Sequence, residues 1–111
     1  MRSYIPQQGD LVALDFHPQS GHEQKGRRPA IVVSNEIFNK ATGLAICCPI
    51  TNTDRGVPFH VPLAGRSSLT GFVMCEQVKS LDFRSRHIKR IESAPTELLD
   101  DVLALIDAAI F

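Results

Sequence analysis

The stretch Gly21-His22-Glu23-Gln24-Lys25-Gly26-Arg27-Arg28-Pro29 runs without a break into Ala30-Ile31-Val32-Val33-Ser34. A polar segment bounded by glycines thus feeds a short apolar run, the pattern of a loop entering a buried strand. The junction puts Arg28 at the mouth of that strand, its stem anchored by the proline and strand behind it. A guanidinium held in this way offers two parallel donors to two phosphate oxygens. Glu23 lies five residues upstream in the same loop. On charge alone, a solvated basic turn is the favoured reading of Lys25, Arg27 and Arg28.

Outward from this junction, most of the chain reads as short strands. Residues 10–16 form an apolar segment between Gly9 and Pro18, and a long polar loop follows over residues 17–27. Loops of that length within a compact domain are commonly functional. Residues 35–40 suit a turn or short helix, and residues 44–50 a further strand. Pro49 cannot donate to a ladder, so this strand is expected to end there or to lie at an edge, with Thr51 emerging at its rim. Residues 59–63 alternate as a half-buried strand does. Residues 71–78 read as one strand carrying Gln77 near its polar end, and residues 88–91 as a last short one. Five or six strands with closely spaced turns predict a small barrel or sandwich.

The C-terminal segment has a different period. Leu98, Leu99, Val102, Leu103, Leu105, Ile106, Ala109 and Ile110 recur at steps of three and four, which lays an apolar stripe along a helix packed on the barrel. Ser93 is the expected N-cap, Pro95 suits the first turn, and Glu97 complements the positive end of the dipole.

With 111 residues, 43% of them hydrophobic, the chain is expected to form a single domain over residues 1–111. A formal net charge of zero excludes global attraction to a polyanion, so any such site is local. Two basic clusters, Lys25, Arg27 and Arg28 and then Arg84, Arg86, Lys89 and Arg90, are candidates to face one groove. The start of the chain lacks the apolar run of a signal peptide and no stretch is long enough to span a bilayer, so a cytoplasmic location without membrane contact is expected. Cys47, Cys48 and Cys75 are odd in number and lack metal-ligand spacing, which predicts buried free thiols and no metal site. His17, His22, His60 and His87 form no ligand pattern.

The ordered set Gly9-Asp10-Leu11, Asp15-Phe16, Gly21-His22-Glu23-Gln24, Arg28-Pro29-Ala30, Cys48-Pro49-Ile50-Thr51 and Gln77-Val78-Lys79-Ser80 resembles the MazF/PemK family of toxin endoribonucleases. The resemblance spans nearly the whole chain. It implies an α+β fold, mainly β, built as a small barrel related to the SH3-like and CcdB folds with a C-terminal amphipathic helix. It further implies a homodimer and cleavage of single-stranded RNA, such as mRNA, without a metal or other cofactor, which inhibits translation and growth. A cognate antitoxin with an acidic, flexible tail is the implied protein partner.

The resemblance carries Arg28 and Thr51 over as catalytic residues. Cleavage of RNA without a metal uses the substrate's own 2'-hydroxyl as nucleophile, so the protein must align that oxygen and stabilise charge growing on the phosphoryl oxygens. Arg28 supplies charge and paired donors, and Thr51 a short hydroxyl donor. The implied products are a 2',3'-cyclic phosphate and a 5'-hydroxyl. Arg28 stays protonated and is an awkward base, so Glu23, which matches a functional glutamate of the family, is expected to accept the 2'-hydroxyl proton or to orient Arg28. His22 sits beside it, and Asp15 is expected to tie the loop down.

Asp15, Phe16, His22, Lys25, Arg27, Asn35, Gln77, Lys79, Arg84 and Arg86 are expected to contact RNA, with Gln77 and Asn35 as candidates for base edges, Arg84 and Arg86 for flanking phosphates, and Phe16 or Phe83 for stacking, although core packing is the favoured reading of both aromatics. The family often carries a tryptophan near the position of Phe83, and this chain has none. Its preferred RNA sequence is therefore not carried over. Two other classes compete. A CcdB-like gyrase poison would share the barrel without needing Arg28 or Thr51, but the chain ends Asp107-Ala108-Ala109-Ile110-Phe111 rather than Trp-Gly-Ile. A peptide-binding SH3-like module would need an aromatic groove, for which one tyrosine and no tryptophan are poor material.

Overall fold

The computed structural model describes residues 3–16, 26–53, 56 and 58–111. Strands β1 (Asp10–Asp15) and β2 (Arg27–Val32) precede helix α1 (Glu36–Thr42). Strands β3 (Leu44–Thr51), β4 (His60–Pro62), β5 (Phe72–Met74), β6 (Lys79–Asp82) and β7 (Lys89–Ser93) follow, and helix α2 (Thr96–Ile110) closes the order. The strands pair antiparallel in the order β4-β5-β3-β2-β1-β7, with β6 also on β3. This is the expected mainly β, α+β architecture. Among the described residues the sheet stays open, with β4 and β7 at the ends of its path. No helix among them is long and apolar enough to cross a membrane.

Alternation along the central strands explains their near-continuous apolar sequences. Leu11, Ile31, Val33, Cys48 and Ile50 pack on one side together with Leu98 and Val102 of α2. Val12, Leu14, Ala30, Val32, Ala45, Cys47 and Phe83 pack on the other. Strands buried on both faces lose the polar alternation of half-exposed ones. Cys47, Cys48 and Cys75 are buried free thiols, as expected, and burial pushes Cys47 up to about 12.

Pro49 differs from expectation in a way that shapes the site. It is neither terminal nor at an open edge: it is buried within β3 and opposes Ala30 of β2. Along the other edge of β3, β6 pairs as far as Cys47 and β5 begins at Ile50, so Pro49 lies in a gap between partners. Its missing N–H costs no ladder bond there. Between the pairs Ile50↔Val73 and Cys47↔Lys79, three steps along β3 face six along its partner. The surplus forms a 3-10 turn over Cys75–Gln77. Residues 71–78 are therefore not one strand: they hold the three residues of β5 and the turn, and β6 begins only at Lys79.

The N-terminus of α2 also differs. Pro95 occupies the N-cap position without a side-chain cap, while Ser93 closes β7 opposite Asp10. Demand for a ladder partner beside β1 takes Ser93 out of reach of the helix. A buried polar knot fixes α1: the Ser34 hydroxyl donates to Asn39 Oδ1 at 2.5 Å, and Asn39 Nδ2 donates to the Pro6 and Ser34 carbonyls at 2.9 and 3.2 Å.

Candidate active site

Arg28 stands near the start of β2 opposite Leu14, and Thr51 ends β3 opposite Phe72. Their side chains line one cavity of about 390 Å³, together with Thr53, His60, Met74, Glu76 and Gln77. A second hollow of about 280 Å³ adjoins it, lined by Phe16, Pro49 and Lys79 and again by Arg28, Met74 and Gln77. Arg28 thus stands between two depressions, each of a size to take part of a polymer.

The donors at this point are uncommitted. Among the described residues, the Arg28 guanidinium has no hydrogen-bond or ion-pair partner. The Thr51 hydroxyl oxygen accepts the Thr53 backbone N–H at 3.1 Å, which leaves its own proton free for donation into the cavity. Thr51 is brought here by a close approach of backbones. Gly71, at φ +107°, lies so near that a Cβ would stand 2.2 Å from the Thr51 carbonyl oxygen.

The neighbouring cations serve a different purpose. Arg27 Nη1 donates to Asp15 Oδ1 at 3.2 Å, and Arg86 Nη1 donates to the Asp15 and Phe16 carbonyl oxygens at 3.1 and 2.9 Å. His87 Nδ1 lies 2.9 Å from Asp15 Oδ2. The hydrogen bond from His87, followed by the bond and charge of Arg27, holds the Asp15 carboxyl below the usual carboxylate range. The Phe16 N–H donates to the Gly26 carbonyl at 2.8 Å. These groups join the two stems of the long loop, and Arg27 and Arg86 spend donors on that task.

The other expected residues are distributed as follows. His22, Glu23 and Lys25 lie outside the described residues. Lys79 Nζ sits 5.5 Å from the centroid of the Phe16 ring, so both belong to the second hollow. Gln77 faces both hollows. Asn35 is not on either wall: it caps α1, its Oδ1 accepting the Phe38 N–H at 2.9 Å. Arg84 lies over Phe83 beside a separate hollow that includes Tyr4, His87 and Ile88. Phe83 is fully buried and closed to a base, because the core under β1 and β2 needs its volume.

His60 and Glu76 were not visible as site residues in the sequence. His60 pairs with Met74 across β4 and β5, and its Nε2 lies 3.0 Å from Glu76 Oε2. Had residues 71–78 stayed extended, Glu76 and Gln77 would point to opposite faces. The 3-10 turn opposite Pro49 brings both to one cavity. The available signal was the proline in the facing strand, which forbids a regular ladder there.

The chain is 43% identical over 96 residues to the endoribonuclease toxin MazF of Escherichia coli (strain K12), covering 86% of each protein. The crystal structure of MazF from Deinococcus radiodurans superposes with a TM-score of 0.86 at 41% identity, covering 97% of this chain and 98% of that one. A MazE-MazF crystal structure from the same organism gives 0.84 at 35% identity, covering 97% of both chains. These relatives do not favour the gyrase-poison alternative. A family model described as PemK-like, MazF-like toxin of type II toxin-antitoxin system matches residues 7–110, and the chain belongs to that family.

Proposed function

We propose that this chain is an endoribonuclease toxin that cleaves single-stranded mRNA without a metal ion, leaving 2',3'-cyclic phosphate and 5'-hydroxyl ends. The observation that carries the reading is the opening of Arg28 and Thr51 onto one cavity, both with donors to spare. Arg28 binds the scissile phosphate with two parallel bonds, and Thr51 donates to the same group as charge builds on its oxygens. The second hollow takes the adjoining nucleotide, with Phe16 as stacking face and Lys79 as phosphate contact.

Proton transfer requires a general base beside the 2'-hydroxyl. Glu76 opens onto the cavity of Arg28 and Thr51, so we assign it that step and leave Glu23 the task of orienting Arg28. The 2'-oxygen passes its proton to Glu76 as the O2'–P bond forms and the P–O5' bond breaks. The leaving 5'-oxygen takes a proton from solvent, and Glu76 later returns its own to solvent. DNA lacks the nucleophile and is not cut.

The working assembly is a cytoplasmic homodimer neutralised by a cognate antitoxin with an acidic tail. Antitoxin binding draws support from the MazE-MazF relative. Ile37, Ile110 and Phe111 are 83%, 62% and 94% exposed, apolar surface of the kind that partners cover.

The test is cleavage of single-stranded RNA by the purified chain in a chelating buffer. Arg28→Ala and Thr51→Ala each lower the rate by about two to three orders of magnitude while the circular dichroism spectrum is unchanged. Full activity in both variants overturns the site.

A further inference from the structure

We propose that His60 is a positioning residue which holds the Glu76 carboxylate in place to receive the 2'-hydroxyl proton. This rests on the activity proposed above. His60 stands behind Glu76: its side chain is 4% exposed against 34% for Glu76, and Nε2 meets Oε2 at 3.0 Å. Both line the cavity of Arg28 and Thr51. On its other side the ring borders a hollow formed by Val61, Pro62, Arg66, Asp101, Ala104 and Leu105. The imidazole is a thin wall between the two.

The second ring nitrogen reveals what the residue is for. Nδ1 is buried and has no partner among the described residues. The cation lining that hollow, Arg66, is committed to Asp101 at 2.8 Å and to the Pro62 carbonyl at 3.0 Å. The Phe72 ring, 6.5 Å away between centroids, offers no polar atom. Leaving a buried polar atom unpaired is costly, and an apolar residue at position 60 avoids that cost. The single bond to Glu76 is what a histidine adds here. The partners also set the tautomer, with the hydrogen on Nε2 donating to Oε2 and a bare lone pair on Nδ1.

One oxygen of Glu76 is thereby occupied, and the carboxylate is kept from swinging across the cavity to Arg28. A glutamate side chain without that restraint is free to pair with Arg28 across the cavity and block the phosphate site. A carboxylate fixed by a hydrogen bond from behind accepts a proton at a defined place, with the same logic by which supporting groups orient other catalytic side chains.

The experiment uses the full chain, an RNA oligonucleotide spanning a mapped cut site, and the same oligonucleotide with 2'-deoxyribose at the scissile nucleotide as an uncleavable binding probe. His60→Leu lowers kcat roughly ten-fold or more but no further than Glu76→Gln, whose loss is about a hundred-fold or more. Binding of the deoxy probe stays within about two-fold of wild type, and His60→Gln, which keeps an N–H donor, recovers most of kcat. The double variant His60→Leu/Glu76→Gln is no slower than Glu76→Gln alone. Full turnover in His60→Leu, multiplying losses in the double variant, or failure of His60→Gln to rescue overturns the inference.

If His60→Leu does not fold, nitrogen NMR of the wild-type ring decides. A proton on Nε2 whose resonance moves in Glu76→Gln supports the role, and a proton on Nδ1 overturns it. Absence of any cleavage by wild type overturns the activity reading and this inference with it. Cleavage by wild type that is lost in Arg28→Ala but kept in His60→Leu overturns this inference alone.

Discussion

Gly71 touches Thr51 through backbone: a methyl group on Gly71 would stand 2.2 Å from the Thr51 carbonyl oxygen and 2.9 Å from Asn52 Oδ1. The end of β3, which carries Thr51, and the entry of β5 share a contact that only glycine permits. No rotamer change relieves a clash with a carbonyl oxygen, so Gly71→Ala must push β5 from the end of β3. Strain at φ +107° adds about 1–3 kcal/mol. Gly71→Ala is expected to lower both Tm and RNA cleavage. The control is Gly43→Ala, where φ is also positive but nothing lies within 4 Å. That variant loses stability yet keeps its kcat, and equal cleavage in the two variants would refute the contact's importance.

Asn39 is fully buried and joins Ser34, Pro6 and the start of β3, since the Ser34 hydroxyl oxygen also accepts the Ile46 N–H at 2.8 Å. Asn39→Ala leaves the Ser34 hydroxyl and the Pro6 and Ser34 carbonyls without these partners. The expected loss is about 2–3 kcal/mol of unfolding free energy, read from urea midpoints at unchanged m. RNA cleavage at temperatures well below the lowered Tm stays at the wild-type rate, because the knot lies away from the Arg28 cavity.

Asp15 governs part of the acid response. Its folded-state carboxyl is held below the ordinary value of 3.8 by His87 and Arg27. The linked stabilisation is present above that ordinary value and is lost as pH falls through the lower, folded one. Glu92, lowered from the ordinary 4.5 by hydrogen bonds from the Ser68 N–H and hydroxyl, acts in the same direction. Asp15→Asn is therefore expected to flatten, without abolishing, the fall in urea stability below about pH 4. An unchanged slope would show that the pairing does not differ between folded and unfolded chains.

The elements most legible in the sequence were those whose pattern is set by burial. β1, β2 and β3 announced themselves as apolar runs, and α2 by its stripe, because those residues meet the core whatever surrounds them. Features decided by a facing strand were hidden. Nothing local in Met74-Cys75-Glu76-Gln77 marks a 3-10 turn; the turn exists because Pro49 stands opposite. Ser93 reads as a cap until β1 claims it as a ladder partner. Arg27 and Arg86 look like free cations in a sequence, but Arg27 is committed to Asp15 across the loop, twelve positions away, and Arg86 to the Asp15 and Phe16 carbonyls, 71 and 70 positions away.

For the site, Arg28 and Thr51 were recognisable from a resemblance, and the structure adds their shared cavity. His60 escaped notice because alternation in Phe59-His60-Val61 tells which face it occupies but not what covers that face. Glu76 escaped because alternation with Met74 gives its face but not the cavity that this face lines.

The bonds joining Asp15, Phe16, Gly26, Arg27, Arg86 and His87 form a collar around the two stems of the loop. A collar isolates what it encloses from what it holds up. Substitutions or changes of length inside the loop need not disturb the strand register that seats Arg28. A segment held at its stems can be exchanged or lengthened in evolution while β2 keeps its place in the sheet.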